Sequence, residues 1–224
     1  MEEIFSFLKE LSQNNNRTWF AEHKNDYENA KAKAENFFRA IYNEIAKGDF
    51  LGEMKMYRIY KDVRFSKDKT PYKTHFGLYF PRKQPHYRGG YYVHLSPDET
   101  FVGGGFFAPN KEDLYRIRKE IELDGEGFEK VMQSEGIQKY YEGKLWGDEL
   151  KTAPKEFDKN DPMIHYIRKK QFLLKYDFCT EKVLKSDFQQ EVIQAFEAMR
   201  PFFDFMTTAL TTNLNGESLF EQGS

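Results

Sequence analysis

The fold is decided by two apolar runs joined by a turn, GYYVHLSPDETFVGGGFF, which spans residues 90–107. Apolar residues recur in alternation through Gly90–Ser96 and Thr100–Phe107, and such alternation predicts strands with one buried face. Pro97-Asp98-Glu99 lies between them and predicts the turn of an antiparallel hairpin. Three consecutive glycines inside the second strand indicate either a bulge or a close approach by another group.

The flanking sequence adds further strands and several helices. Phe76–Phe80 and Phe172–Cys179 are short apolar segments that predict strands. Met56–Phe65 alternates like a strand with one solvated face, although Lys61 breaks the alternation and Arg58 and Asp62 would also pair at helical spacing. Apolar residues at helical spacing predict helices over the following segments: 4–11, 18–46, 111–122, 127–134, and a pair after the capping box of Ser186 and Gln189 that Pro201 interrupts.

These elements predict an α+β fold in one domain of 224 residues, with a central, mainly antiparallel sheet flanked by N-terminal and C-terminal helices. The expected parts are a helical part at 1–48, a sheet core at 55–107, and a mostly helical part at 110–212 with one strand near 172–179. Residues 136–165 are polar and lack a clear period, so we expect them to be irregular. The pattern does not determine the oligomeric state.

Composition excludes several classes of protein. The net charge of −2 argues against a chain that is basic throughout and coats nucleic acid. The single cysteine, Cys179, excludes an intrachain disulfide and a multi-cysteine zinc site, and no histidine pair has the spacing that metal sites often use. No apolar run reaches the roughly 18 residues of a transmembrane helix, and Met1-Glu2-Glu3 lacks the positive charge of a signal peptide. We therefore expect a soluble, cytoplasmic protein with no membrane contact, no metal and no cofactor.

Positive charge is concentrated in one segment. Residues 55–88 contain ten Lys and Arg against two acids, a local charge of +8, while the rest of the chain carries −10. Eight Phe and Tyr are interleaved with these basic residues. Arginine grips phosphate with parallel hydrogen bonds and tyrosine stacks on flat rings, so the mixture suits a ligand that has both. The alternative is structural, because the acidic remainder of the chain could pair with this segment as an ordinary salt-bridged surface.

We expect a site centred on residues 58–75 that binds a small anionic or phosphorylated ligand, and the residues leave open whether the protein is an enzyme. The residues expected to bind the ligand or line its pocket are Arg58, Arg64, Lys69, Tyr72, Lys73, Tyr92 and Arg17. Asp62 would orient the arginines or act as a base, and His94 is the candidate for proton transfer. His75 and His94 belong to neighbouring strands and could meet across the sheet.

Two other functions could use the same segment. A nucleic-acid-binding module would present it as a flat basic face whose affinity falls steeply with salt, although the near-neutral net charge argues against this. An interaction scaffold without a ligand would dock the segment on an acidic protein partner.

Ser66-Lys67-Asp68-Lys69 also matches the Ser-x-x-Lys arrangement of penicillin-recognising enzymes, but no Lys-Thr-Gly or Ser-Asp-Asn accompanies it. A turn before Pro71 accounts for Ser66 and Asp68 more simply.

The block YKDVRFSKDKTPYK at residues 60–73 resembles the bacterial and fungal domain-of-unknown-function family 2461, a family of conserved hypothetical proteins. Other matching positions are Phe7, Leu8, Leu11, Asn15–Arg17, Trp19, Phe20, Lys24, Tyr27, Gly90–Tyr92, Gly103–Gly105, Leu114 and Arg118. The resemblance covers nearly the whole chain, although Lys61 stands where the family more often has Arg. It implies a single domain and singles out residues 62–73, but it implies no reaction and no catalytic residues.

Overall fold

A computed structural model describes residues 1–213 and 215–220. Its centre is a five-stranded sheet with the order β1-β2-β3-β4-β5, in which every neighbouring pair is antiparallel. The strands are β1 (Lys55–Met56), β2 (Phe76–Pro81), β3 (Gly90–Leu95), β4 (Thr100–Phe106) and β5 (Phe172–Phe178). The predicted hairpin is confirmed, because β3 and β4 pair with Val93 opposite Val102. The α+β class and the antiparallel sheet are confirmed with it.

Helices lie before the sheet, between β4 and β5, and after β5. They are α1 (Glu2–Gln13), α2 (Arg17–Glu22), α3 (Lys24–Ile45), α4 (Lys111–Leu123), α5 (Gly125–Met132), α6 (Glu135–Tyr141), α7 (Ile164–Ile167), α8 (Thr180–Val183), α9 (Phe188–Ala198) and α10 (Arg200–Thr211). Asn110 caps α4, because its side-chain oxygen accepts a hydrogen bond of 2.8 Å from the Asp113 N–H. Within the described part of the chain, no helix combines the length and the apolar character that crossing a membrane requires.

Three predictions about helices are wrong. The single helix expected over 18–46 is two helices, because His23 has φ −105° and ψ 26° between α2 and α3. Residues 136–165, expected to be irregular, contain most of α6 and the start of α7. The capping box expected at Ser186 does not form, since α9 begins at Phe188 after Asp187 and has no side-chain cap.

The strand predicted over Met56–Phe65 is wrong beyond its first residue. Only Lys55 and Met56 pair with β2. The Tyr57 N–H still donates to the Gly77 carbonyl of β2 at 2.9 Å, and the Lys61 N–H donates to the Pro71 carbonyl at 2.9 Å. These contacts are too few to continue the strand, so the residues after Met56 form a loop.

This loop, residues 57–73, is called the basic loop below. An isolated bridge pairs Tyr60 with Tyr72 at its base. Asn15, between α1 and α2, holds the same point: its Nδ2 donates to the Tyr72 carbonyl at 2.9 Å, and its Oδ1 accepts from the Tyr72 N–H at 3.1 Å. The Tyr72 ring stacks on Phe20 with centroids 3.9 Å apart. The end of the basic loop is thus tied to the N-terminal helices.

Alternation along the strands gives the sheet two different faces. One face is fully buried against α3, α9 and α10 and includes Phe80, Tyr91 and Val93. The Tyr91 ring packs edge-on against Phe196 and Phe203, with centroids 5.0 and 4.9 Å away. The residues between these on each strand point to the other face, called the open face below, where side chains are only partly buried.

A buried polar cluster fixes the end of β2 to the helices. Arg82 donates from Nε to Asp49 Oδ1 at 2.9 Å and from Nη2 to Asp204 Oδ1 at 2.7 Å. The Tyr91 hydroxyl donates to the second oxygen of Asp49 at 2.6 Å. Such a pair contributes little net stability, but removal of one partner leaves a buried charge unpaired. The cluster therefore fixes the arrangement of these elements more than it strengthens the fold.

The two faces give a matched pair of variants. A Cβ at Gly104 would collide with the Met199 sulfur and lie 2.9 Å from the Phe203 ring, whereas the atom nearest a Cβ at Gly103 is the Leu174 carbonyl oxygen at 3.3 Å. We expect Gly104→Ala to lower the free energy of unfolding by about 1–3 kcal/mol through overpacking. Gly103→Ala should change it by less than about 1 kcal/mol. Urea denaturation measures both, and equal losses would contradict the assignment of the faces.

Candidate functional site

The open face forms the floor of a cavity of about 760 Å³. One row of residues crosses this floor, because Tyr79 lies opposite Tyr92, Tyr92 opposite Gly103, and Gly103 opposite Lys175. Neighbouring strands lie about 4.8 Å apart, so the row spans roughly 14 Å. The ends of the basic loop and residues 106–110 contribute to the walls. The cavity therefore follows from the antiparallel register, which puts these residues in one row.

Two histidines lie side by side, and one of them, His75, lines one end of the cavity. His94 is opposite Gly77 on the open face, and His75 precedes Gly77 by two residues. Their ring centroids are 4.1 Å apart, so the expectation that they meet across the sheet is confirmed. His94 Nδ1 lies 3.1 Å from the Tyr92 hydroxyl, and its ring stacks on Phe101 at 4.8 Å. These contacts fix the orientation of the His94 ring.

Burial favours the neutral form of both imidazoles. It is the main cause that lowers the pKa of His75 to about 4, and His94 and Lys73 act in the same direction. Burial also lowers the pKa of His94. Glu99 raises the pKa of both rings, but by less than burial lowers it. A neutral imidazole can donate one hydrogen bond and accept another, so the pair offers hydrogen bonds rather than charge at pH 7.

Three cationic side chains from the described residues line the cavity, and two of them are paired with acids. Arg88 Nη2 donates to Asp113 Oδ2 at 2.6 Å. Lys175 Nζ lies 2.8 Å from a carboxylate oxygen of Glu99 and 2.8 Å from one of Asp177. Both charges are therefore largely balanced within the protein.

Lys73 is the third cation, and it is not balanced in this way. In residues 1–213 and 215–220, no carboxylate lies within ion-pair distance of its ammonium group. Its Nζ lies 5.5 Å from the centroid of the Tyr57 ring. Partial burial, and then the charge of Arg58, lower the pKa of Lys73. A bound anion would favour the charged form of this group and oppose both effects.

The other end of the cavity is aromatic. Trp146 bridges to Leu173, which lies opposite Gly105, and Phe107 follows Gly105 by two residues. Their side chains are notably open to solvent: Phe107 is 68% exposed and Trp146 is 52% exposed. The polar end with the histidines and Lys73 and the aromatic end with these two rings are thus separated along the strand direction.

The structure brings three of the predicted site residues together. Lys73 and Tyr92 line the cavity. His94 contacts Tyr92 from the polar end. Nothing in their separation in the sequence required this, because Lys73 is in the basic loop and the other two are in β3.

The other predicted site residues do not line the cavity. They are Arg58, Asp62, Arg64 and Lys69 in the exposed part of the basic loop, Tyr72 buried against Phe20, and Arg17 exposed on α2. Asp62 and Arg64 pair with each other at 2.6 Å, and this bond lowers the pKa of Asp62. Lys69 Nζ donates to the Val63 carbonyl at 3.0 Å.

Sequence reasoning missed Trp146, Phe107 and Lys175 as cavity residues. Trp146 lies in the segment that was expected to be irregular, and Lys175 lies outside the basic segment. One signal pointed to this place, because the glycines of Gly103–Gly105 predicted either a bulge or a close approach by another group.

The described residues contain no group of three or more His, Cys, Asp or Glu that could hold a metal ion. A family model described as conserved hypothetical protein (DUF2461) matches residues 3–205. Searches of the curated proteins and of the solved structures found no significant match.

The depressed pKa of His75 predicts how stability responds to pH. Folded His75 titrates at about 4, whereas an unfolded histidine titrates at about 6.5, so the unfolded chain binds more protons between these values. The free energy of unfolding should therefore fall as the pH drops from about 6.5 to 4. In His75→Gln the free energy of unfolding should fall by less over this pH range. His86 is at an exposed position, so His86→Gln should show the same fall as the wild type.

Urea denaturation at pH 7, 6, 5 and 4 measures these slopes. His94 still titrates in the His75→Gln variant, so we expect a reduced slope rather than none. The same slope in the wild type and in His75→Gln would show that His75 is not held neutral by the fold.

Proposed function

The chain belongs to the DUF2461 family of conserved hypothetical proteins, and because that description names no activity, we propose from the cavity itself that the protein binds a small anionic ligand there. The volume of about 760 Å³ lies within the range of roughly 300–1,000 Å³ that is usual for small-molecule sites. The cavity also has the usual composition of such sites, with mostly apolar walls and a few converging polar groups.

The observation that carries this proposal is the unbalanced charge of Lys73. The two other cations of the cavity, Arg88 and Lys175, have carboxylate partners within 2.8 Å. Lys73 has the Tyr57 ring at 5.5 Å, and a contact of that kind contributes about 0.5–1 kcal/mol at an exposed site. A hydrogen bond to a charged partner contributes about 1.5–3 kcal/mol. An anion is therefore the better partner for this ammonium group.

His75 would contact the same anionic group of the ligand as Lys73. It lines the cavity, and its neutral ring can donate a hydrogen bond to an anion without adding charge. Tyr92 keeps its hydroxyl proton, because burial raises its pKa to about 12, and that hydroxyl lies on the same floor. The polar end thus combines one cation with neutral hydrogen-bonding groups, which suits a phosphate or a carboxylate.

A nucleic-acid-binding module is the second candidate, and one feature of the basic loop favours it. Phe65 is 97% exposed and lies between the cations Arg64 and Lys67. An exposed ring among cations suits a single strand, in which bases stack and phosphates pair. Binding of this kind weakens with salt by about 0.7 log units per phosphate contact for each log unit of salt.

Replacement of Lys73 tests the main proposal. We expect Lys73→Met to bind ribose 5-phosphate about 10- to 100-fold more weakly than the wild type, because a charge-assisted hydrogen bond is lost. Lys69→Met, four residues away in the exposed loop, should bind it as the wild type does. Isothermal titration calorimetry measures both dissociation constants.

Two outcomes would contradict the proposal. One is a wild-type protein that binds none of phosphate, ribose 5-phosphate and adenosine 5′-monophosphate; the other is an equal effect of the two lysine variants. Salt-sensitive binding of a short RNA that needs Phe65 but not Lys73 would favour the second candidate instead.

A further inference from the structure

We infer that the anionic ligand of this cavity also carries a flat aromatic ring, which lies on the backbone of Gly103 between Phe107 and Trp146. The inference rests on the proposed function and names its ligand class: a ring joined through a spacer to a phosphate or carboxylate, as in a nucleoside monophosphate.

The three consecutive glycines show where the ring would lie, because only two of them are explained by the protein. Gly104 has no room for a Cβ next to Met199 and Phe203. Gly105 has φ +129°, and a Cβ there would collide with the Phe172 carbonyl. At Gly103 the crowding is milder, and the backbone conformation is one that other residues can adopt.

A Cβ on Gly103 would be tight against one backbone atom but would not collide with the protein. The nearest atoms are the Leu174 carbonyl oxygen at 3.3 Å and the edge of the Phe101 ring at 4.0 Å, and φ is not in the left-handed region. The side chain would instead stand in the cavity, since Gly103 lines it. A glycine here leaves a flat stretch of backbone in the floor, which a planar group can approach closely.

Two rings beside this floor are largely open to solvent, although the Lys175 Nζ lies 5.8 Å from the centroid of the Trp146 ring. Phe107 and Trp146 line the cavity and are 68% and 52% exposed. Other rings of the floor are already covered: Phe101 has His94 stacked at 4.8 Å and the Lys175 ammonium 4.4 Å from its centroid. A flat ligand ring would therefore stack at the Trp146 end and not against Phe101.

The two ends of the cavity define the shape of the ligand. Gly103 lies opposite Tyr92, and His94 is two residues further along β3, a rise of roughly 7 Å. Lys73 precedes His75 by two residues and lines the cavity together with it. The ring and the anionic group must therefore be separated by a spacer, such as a pentose, and a ring that bears its anion directly would be too short.

A pair of probes that differ only by the ring tests this inference. We expect the wild-type protein to bind adenosine 5′-monophosphate about 10-fold or more tightly than ribose 5-phosphate, because stacking of one base has an effect of this size. Trp146→Ala should bring the ratio of the two affinities towards one, and so should Gly103→Ala, whose methyl group occupies the floor. Phe65→Ala removes an exposed ring outside the cavity and should keep the wild-type ratio.

Calorimetric titration of each variant with both probes gives the ratios, and circular dichroism with urea denaturation confirms that each variant is folded. Equal affinity of the wild type for the two probes would overturn the ring inference and leave the anion proposal standing. The same follows if both cavity variants keep the wild-type ratio. A wild-type protein that binds neither probe, or equal effects of Lys73→Met and Lys69→Met on ribose 5-phosphate binding, would overturn the proposed function itself.

Discussion

The packing of aromatic side chains against one face of the sheet is the interaction on which the rest of this structure depends. Tyr91 is completely buried between Phe196 and Phe203. Side chains alternate along a strand, so the burial of Tyr91 directs Tyr92 and His94 to the opposite face. A shift of one residue in register would exchange the two faces completely. The contact that holds the core together thus also determines which side chains reach the cavity.

Local sequence patterns were sufficient to predict the hairpin. They were not sufficient to predict elements whose structure depends on contacts with other parts of the protein. The turn and the alternation around it are contained within a few residues, and the structure follows them. Alternation also continues after Met56, with a break at Lys61, yet only Lys55 and Met56 pair with β2 as a strand, and a sequence pattern cannot show that. The break at His23 contains no Gly or Pro; the ring of His23 stacks on Trp19 at 4.1 Å, a side-chain contact that helical periodicity does not register.

The candidate site shows the same contrast between what local sequence patterns predict and what contacts between distant segments determine. Counting charges identified a basic segment but could not distinguish Lys69 from Lys73, which are only four residues apart. Lys69 bonds to a carbonyl of its own loop, whereas Lys73 lines the cavity without an acidic partner among the described residues. Trp146 and Lys175 come from the other half of the chain, and only the sheet order brings them to the same floor. The glycines at Gly103–Gly105 are the exception, because a missing side chain can be read in the sequence alone.

The double hydrogen bond between Asn15 and Tyr72 has a consequence for the order of assembly. It joins residues 57 positions apart, so it closes a long loop, whereas β3 and β4 are joined by a short turn. Contacts between distant segments form later, as a rule, than contacts between neighbours. Lys73 follows Tyr72 directly, and its place is therefore set when the N-terminal helices dock. We expect the chain to pass through a stage in which the β3–β4 hairpin already exists but the polar end of the cavity does not.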